Sequence, residues 1–339
     1  MSVGMSFALR LGQSGLDMAE WCKHIKLALD EVRMMVLGVQ VLISLQFELA
    51  FQSGFGTSSG LVRQLIVVVL LLLLATFAVL LWGPSYHRVT VGGNCTEESH
   101  RFMSRTSCAA LVPLGAALGL DAYVAFHRVG MRAAAVAAGV VVALLCFFLW
   151  YVLSAVRRSP DPDEVRKMSD RDSSTEKKEK PELHERVGLA LTEARVVLPG
   201  AQAMLGFQFV TMFTSAFEEL PQSSKLVHLA CLSLIALTVI LLITPAAFHR
   251  IAEHGMDSER LVGLTGRFVM AATVPLGAAM AGEVYVVILK VMESSSMAVV
   301  AAVVTFAVMM GMWFGYTWLK RNRAGEEGEH KASRAAFAH

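Results

Sequence analysis

Between Leu65 and Trp82 the chain runs for 18 residues without a charged side chain, two thirds of them leucine or valine. About 20 mostly apolar residues are enough for one helical crossing of a bilayer. Comparable runs occupy Met34–Phe51, Cys108–Phe126, Ala133–Val156, Val196–Ala216, Leu226–Phe248, Phe268–Leu289 and Met297–Leu319. None alternates polar and apolar residues over about ten positions, as the strands of an outer-membrane barrel do. The first and fifth runs are the weakest, each carrying polar residues such as Gln46 and Glu48 in the first and Gln202 and Gln208 in the fifth. The fold expected is an all-α integral membrane protein of eight transmembrane helices. Only 17% of the residues are charged, against about 25% in soluble domains.

The second half of the sequence repeats the first at an offset of 162 residues. Leu27 to Arg33 corresponds to Leu189 to Arg195, Gln40 to Gln202, and Gln46-Phe47 to Gln208-Phe209. His87-Arg88 corresponds to His249-Arg250, Pro113-Leu114-Gly115 to Pro275-Leu276-Gly277, Asp121 to Glu283, and Arg128 to Lys290. One offset shared by so many polar positions marks an internal duplication. The predicted organisation is an N-terminal tail (1–20), a first four-helix repeat (21–156), a charged linker (157–182), a second four-helix repeat (183–319) and a polar tail (320–339). An even helix number per repeat places both the same way up, related by a pseudo-twofold axis along the membrane normal. The result is a pseudo-dimer within one chain, with further assembly open.

Basic residues set the orientation. Lys23, Lys26, Arg33, Arg88, Arg101, Arg105, the linker, Arg250, Arg260, Arg267 and Lys320 to Arg323 all fall on one side. Far fewer fall on the other, so both termini are expected in the cytoplasm of a bacterial cell, with the chain in its plasma membrane. A net charge of +2 and no basic stripe argue against nucleic acid as a partner. The lipid bilayer is the partner expected. The five cysteines have no framework spacing, so they are read as small apolar fillers rather than disulfides or metal ligands.

Two polar layers stand out, since polar groups within a membrane are costly and often functional. At a rise of about 1.5 Å per residue, Gln46, Glu48 and Asp121 fall roughly 20 Å from the cytoplasmic edge. Gln208 and Glu283 follow in the second repeat, with Val210 in place of Glu48. A carboxyl in such surroundings can bind a cation or carry a proton. The alternatives are solvation near the outer surface, pairing with Arg128 or Lys290, or a hydrogen bond to a neighbouring glutamine. The second layer comprises Glu31, Arg33, His87 and Arg88 with their counterparts Glu193, Arg195, His249 and Arg250. It reads either as a gate of ion pairs or, more simply, as interfacial anchors. Gly115 and Gly119, with Gly277 and Ala281, give the small-residue spacing of close helix pairs. Phe47, Phe51, Phe209 and Phe213 are read as packing residues.

The order Glu193-x-Arg195, Pro199-Gly200-Ala201-Gln202, Phe207, then Pro245 to His249-Arg250 resembles a family of small, uncharacterised bacterial four-helix membrane proteins. Some of these carry the label sodium:proton antiporter. The first repeat departs from the pattern, having Leu37-Gly38-Val39-Gln40 without the proline. The resemblance implies a fused double version of that unit. No enzyme motif, cofactor fingerprint or metal-ligand spacing occurs, so neither enzymatic activity nor a cofactor or metal is expected. The expected function is membrane transport of a small inorganic ion or proton, cation/proton exchange through Asp121 and Glu283 being one form. An ion channel and a non-transporting scaffold or regulatory protein are the alternatives.

Overall fold

The computed structural model describes residues 2–92, 94–157 and 176–316. The expected tail (320–339) and most of the expected linker lie outside these residues. Every described secondary-structure element is helical. In chain order, α1 is Ser2–Leu49, α2 Gly60–Val89, α3 Glu97–Arg128 and α4 Arg132–Phe147. The second half gives α5 Glu176–Thr211, α6 Gln222–Ile251, α7 Glu259–Met292 and α8 Ser295–Met310. Short helices Ser53–Thr57 and Ser215–Glu218 follow α1 and α5, and π-helical segments Phe148–Val152 and Gly311–Tyr316 extend α4 and α8. The irregular features recur with the repeat, including a proline inside α2, α3, α6 and α7.

Local chemistry marks the helix starts. The hydroxyls of Ser59, Thr96, Ser258 and Ser294 accept from backbone N–H groups three residues on, capping α2, α3, α7 and α8. Among the described residues, seven helices are long and apolar enough to cross a membrane. The segment that falls short is α5, whose expected span Val196–Ala216 is interrupted by Pro199, Gln202 and Gln208. Outward faces are hydrocarbon: Val67, Val68, Leu71 and Leu74 on α2, and Val299, Val300, Val303 and Val304 on α8, are exposed. Apolar surface on this scale belongs against lipid, and the chain is a multi-pass membrane protein.

The halves meet along α1 and α5, and their packing is unequal. Helix α6 lies at the centre, in contact with α5, α7, α3 and the end of α4, whereas its counterpart α2 packs chiefly on α1 and α3. Phe209 and Phe213 are accordingly buried, while Phe47 and Phe51 are exposed, so the packing role expected for all four belongs to the second pair alone. Gly206 lies against Leu45, where an added Cβ would fall 2.2 Å from Leu45 Cδ1. The close pair foreseen at Gly119 forms with Gly139 of α4, each glycine's missing Cβ leaving about 3 Å to the other's carbonyl oxygen.

The cysteine expectation fails at two positions. Cys22 and Cys95 form a disulfide, with Cα atoms 5.0 Å apart, joining the early part of α1 to the segment before α3. Spacing could not reveal it, because the partners are 73 residues apart. Cys146 and Cys231 are buried fillers, as expected.

At the far end, Gly54 donates its backbone N–H to Phe213 O at 2.8 Å across the seam. A Cβ on Gly54 would stand 2.6 Å from that same carbonyl oxygen, whereas Gly56 faces open space. Gly54→Ala should therefore destabilise the protein by about 1–3 kcal/mol, and Gly56→Ala should leave its melting temperature in detergent nearly unchanged.

Candidate functional site

At the end of the helices bearing Glu31, both halves converge on one carboxylate. Glu31 projects from α1 and is 2% exposed. Arg195 of α5 donates to Glu31 Oε1 at 3.2 Å, and His249 Nδ1 lies 3.0 Å from the same oxygen. Arg250 of α6 donates through Nε to Oε2 at 2.8 Å, with Nη2 2.7 Å from it. The His249 and Arg250 side chains are each 3% exposed. A buried carboxylate is tolerable only when its lone pairs are satisfied by such partners. Beside it, a cavity of about 20 Å³ lined by Glu31 and Arg195 has room for one water.

The equivalent set from the other copy does not assemble. Glu193 and Arg88 are exposed, Arg33 pairs with Asp30 at the surface, and His87 bonds Ser99 Oγ at 2.8 Å. Of the eight residues expected in this layer, four meet and four do not. The four that meet are enclosed between the halves: Glu31, His249 and Arg250 are buried, and the Arg195 side chain is 11% exposed.

The opposite layer is also split. Gln46 donates Nε2 to Asp121 Oδ1 at 3.1 Å. These two line a cavity of about 200 Å³ between the halves. Its remaining wall is almost entirely apolar, from Leu42 and Leu45 (α1), Leu118 (α3), Val141 (α4), Phe209 (α5) and Leu232 (α6). Ser233 adds a hydroxyl, itself donated to Leu229 O. Gln46 Oε1 is buried with no hydrogen-bond partner. Val141, one of its lining residues, is itself exposed.

Glu283 does not join it. His228 Nδ1 lies 2.9 Å from Glu283 Oε1, and His228 Nε2 lies 2.9 Å from Gln208 O. The Gln208 side chain is buried without partners, outside the cavity. Glu48 is exposed and accepts from Gln52, one turn along. The acids do not pair with the basic residues considered for them. Arg128 instead crosses the seam to Glu218 (3.1 Å) and Met212 O (3.1 Å), while Lys290 donates to Ala216 O.

His228 escaped sequence reasoning. Its signal was a mismatch in the repeat, where Ile66 occupies the matching position. A third cluster was missed as well: His24, His184 and Asp257, whose donor atoms lie within 4.8 Å of one another.

Removing the charge of Glu31 strands buried guanidinium groups, which typically costs about 3–5 kcal/mol. Glu31→Gln should therefore lower the melting temperature sharply. Glu193→Gln, at an exposed position, should change stability by no more than about 0.5 kcal/mol.

Both halves answer to one sequence family. No curated protein and no solved structure matches the chain. The chain belongs to the DUF6328 family, a family of unknown function, which matches residues 23–154 and again residues 178–317.

Proposed function

We propose that this is a membrane transport protein that exchanges a cation for protons at Asp121. The observation that carries the reading is a single carboxyl group, held by Gln46, in a cavity between the two halves whose other lining is apolar but for Ser233. A carboxyl so placed has little to gain from staying charged unless a cation joins it. Protonation and cation binding then become alternatives, which is the minimal requirement for exchange.

The walls bear on the cargo. An inorganic cation stripped of water seeks several oxygen ligands. Asp121, Gln46 Oε1 and the Ser233 hydroxyl are few, and the lining is mainly hydrocarbon. A proton, or a compact organic cation with apolar flanks, fits these walls better than sodium does. A volume of about 200 Å³ lies below the roughly 300 Å³ of small ligand pockets, which limits the cation's size.

A channel would be served by a ring of acids from both repeats. Glu283 does not line the cavity that holds Asp121 and is tied to His228, so the exchange reading is preferred. The scaffold reading leaves the Asp121 cavity without a role. In the proposed arrangement α5 is an eighth span, made tolerable by its burial against α1 and α6. Each half then supplies four spans with both termini cytoplasmic in a bacterial plasma membrane. The family match to both halves supports the duplication on which this rests.

The test is proton flux in proteoliposomes under imposed gradients of Na⁺, K⁺ and a small lipophilic amine, read with a pH-sensitive dye. Asp121→Asn should abolish cation-dependent flux, and Glu283→Gln should retain most of it. Silence of the folded wild-type protein under every gradient would contradict the proposal.

A further inference from the structure

The duplication places different chemistry at one equivalent position in each half. In the first half, Cys22 of α1 is bonded to Cys95 before α3. At the repeat offset of 162 these two residues become His184 and Asp257. That pair is also in contact, His184 Nδ1 lying 2.7 Å from Asp257 Oδ2. Both pairs span 73 residues, and both join a half's first long helix to the loop before its third. The first half closes this junction covalently. The second presents a metal-ligating pair there, and His24 from the first half completes a set of three.

We propose that His24, His184 and Asp257 bind one divalent transition-metal ion of the zinc type, joining the two halves at the Glu31 end. Two imidazole nitrogens and one carboxylate oxygen suit zinc and its first-row neighbours. Calcium and magnesium, which prefer all-oxygen shells, are disfavoured. Three protein ligands leave a fourth position for water.

The surroundings are built for the role. His24 is buried, and the side chains of His184 and Asp257 are 25% and 13% exposed. Asp257 Oδ1 is buried with no hydrogen-bond partner, leaving acceptor capacity that a cation would use. The loop carrying Asp257 is fixed on both sides. Gly255 has φ +78 and lies so close to His100 that a Cβ would fall 2.4 Å from its ring, so only glycine fits. One residue after Asp257, Ser258 caps α7. Trp21 and His100 pack around His24, with ring centroids 6.1 and 6.0 Å from it. Donors on a shared tetrahedral ion stand about 3.3 Å apart at zinc–ligand distances of about 2.0–2.1 Å. Loading therefore draws His24 inward and opens the His184–Asp257 contact slightly.

The test uses the full chain, purified in detergent without a polyhistidine tag, stripped with chelator and titrated with Zn²⁺ against a chromophoric competitor. Co²⁺ loading gives an absorption spectrum that reports the ligand set. One equivalent of Zn²⁺ per chain is expected. His184→Ala and the near-isosteric Asp257→Asn should each weaken binding more than about 100-fold, beyond the 10- to 100-fold cost of losing an outer-shell group. His127→Ala, at the opposite end of α3, should leave it unchanged. Should His184→Ala fail to fold, Asp257→Asn and the wild-type Co²⁺ spectrum still decide the matter. Absence of stoichiometric binding by wild type, or equal affinity in wild type and Asp257→Asn, would overturn the proposal.

Discussion

A carboxylate buried among helices demands cations, and here the demand is met across the duplication. Glu31 belongs to the first half, while Arg195, His249 and Arg250 belong to the second. Apolar packing alone would let two membrane units slide or rotate against each other, since lipid chains solvate leucine as well as another helix does. Directional charge-assisted hydrogen bonds do not permit that freedom. The cluster therefore fixes the register of α1 against α5 and seats α6 in the centre. Arg128, reaching Glu218 and Met212 O, fixes the opposite end. Between these two ties lies the cavity containing Asp121, whose shape depends on both.

Fusion of two copies frees each position to take a separate role. Glu31 is enclosed while Glu193 faces outward; Asp121 lines a cavity while Glu283 is paired with His228. Arg128 bridges the halves, and Lys290 stays within its own. A disulfide in one half corresponds to an imidazole–carboxylate pair in the other. A symmetric dimer of identical chains could not divide its residues this way, since every site would appear twice.

The apolar runs and the repeat were plain in the sequence, because helix length and offset are one-dimensional properties. So was the pairing of Gln46 with Asp121 in depth, which follows from helical rise. What the sequence withheld was which copy serves as partner. Periodicity gives the face of a helix, but the choice of Arg250 over Arg88 for Glu31 depends on how α6 docks. The exposure of Phe47 and Phe51, and the close approach of Gly206 to Leu45, have the same origin. His228 against Ile66, and Cys22 and Cys95 against His184 and Asp257, were visible as mismatches. Their significance emerged only once long-range contacts brought each pair together.

Glu31, and not its repeat counterpart Glu193, locks the two halves. A double-mutant cycle between Glu31→Gln and Arg250→Met, read by unfolding in detergent, isolates their coupling. Direct contact predicts a coupling of about 2 kcal/mol or more, beside a value near zero for Glu193→Gln with Arg88→Met. Equal couplings in the two cycles, or none in the first, would contradict the asymmetric lock.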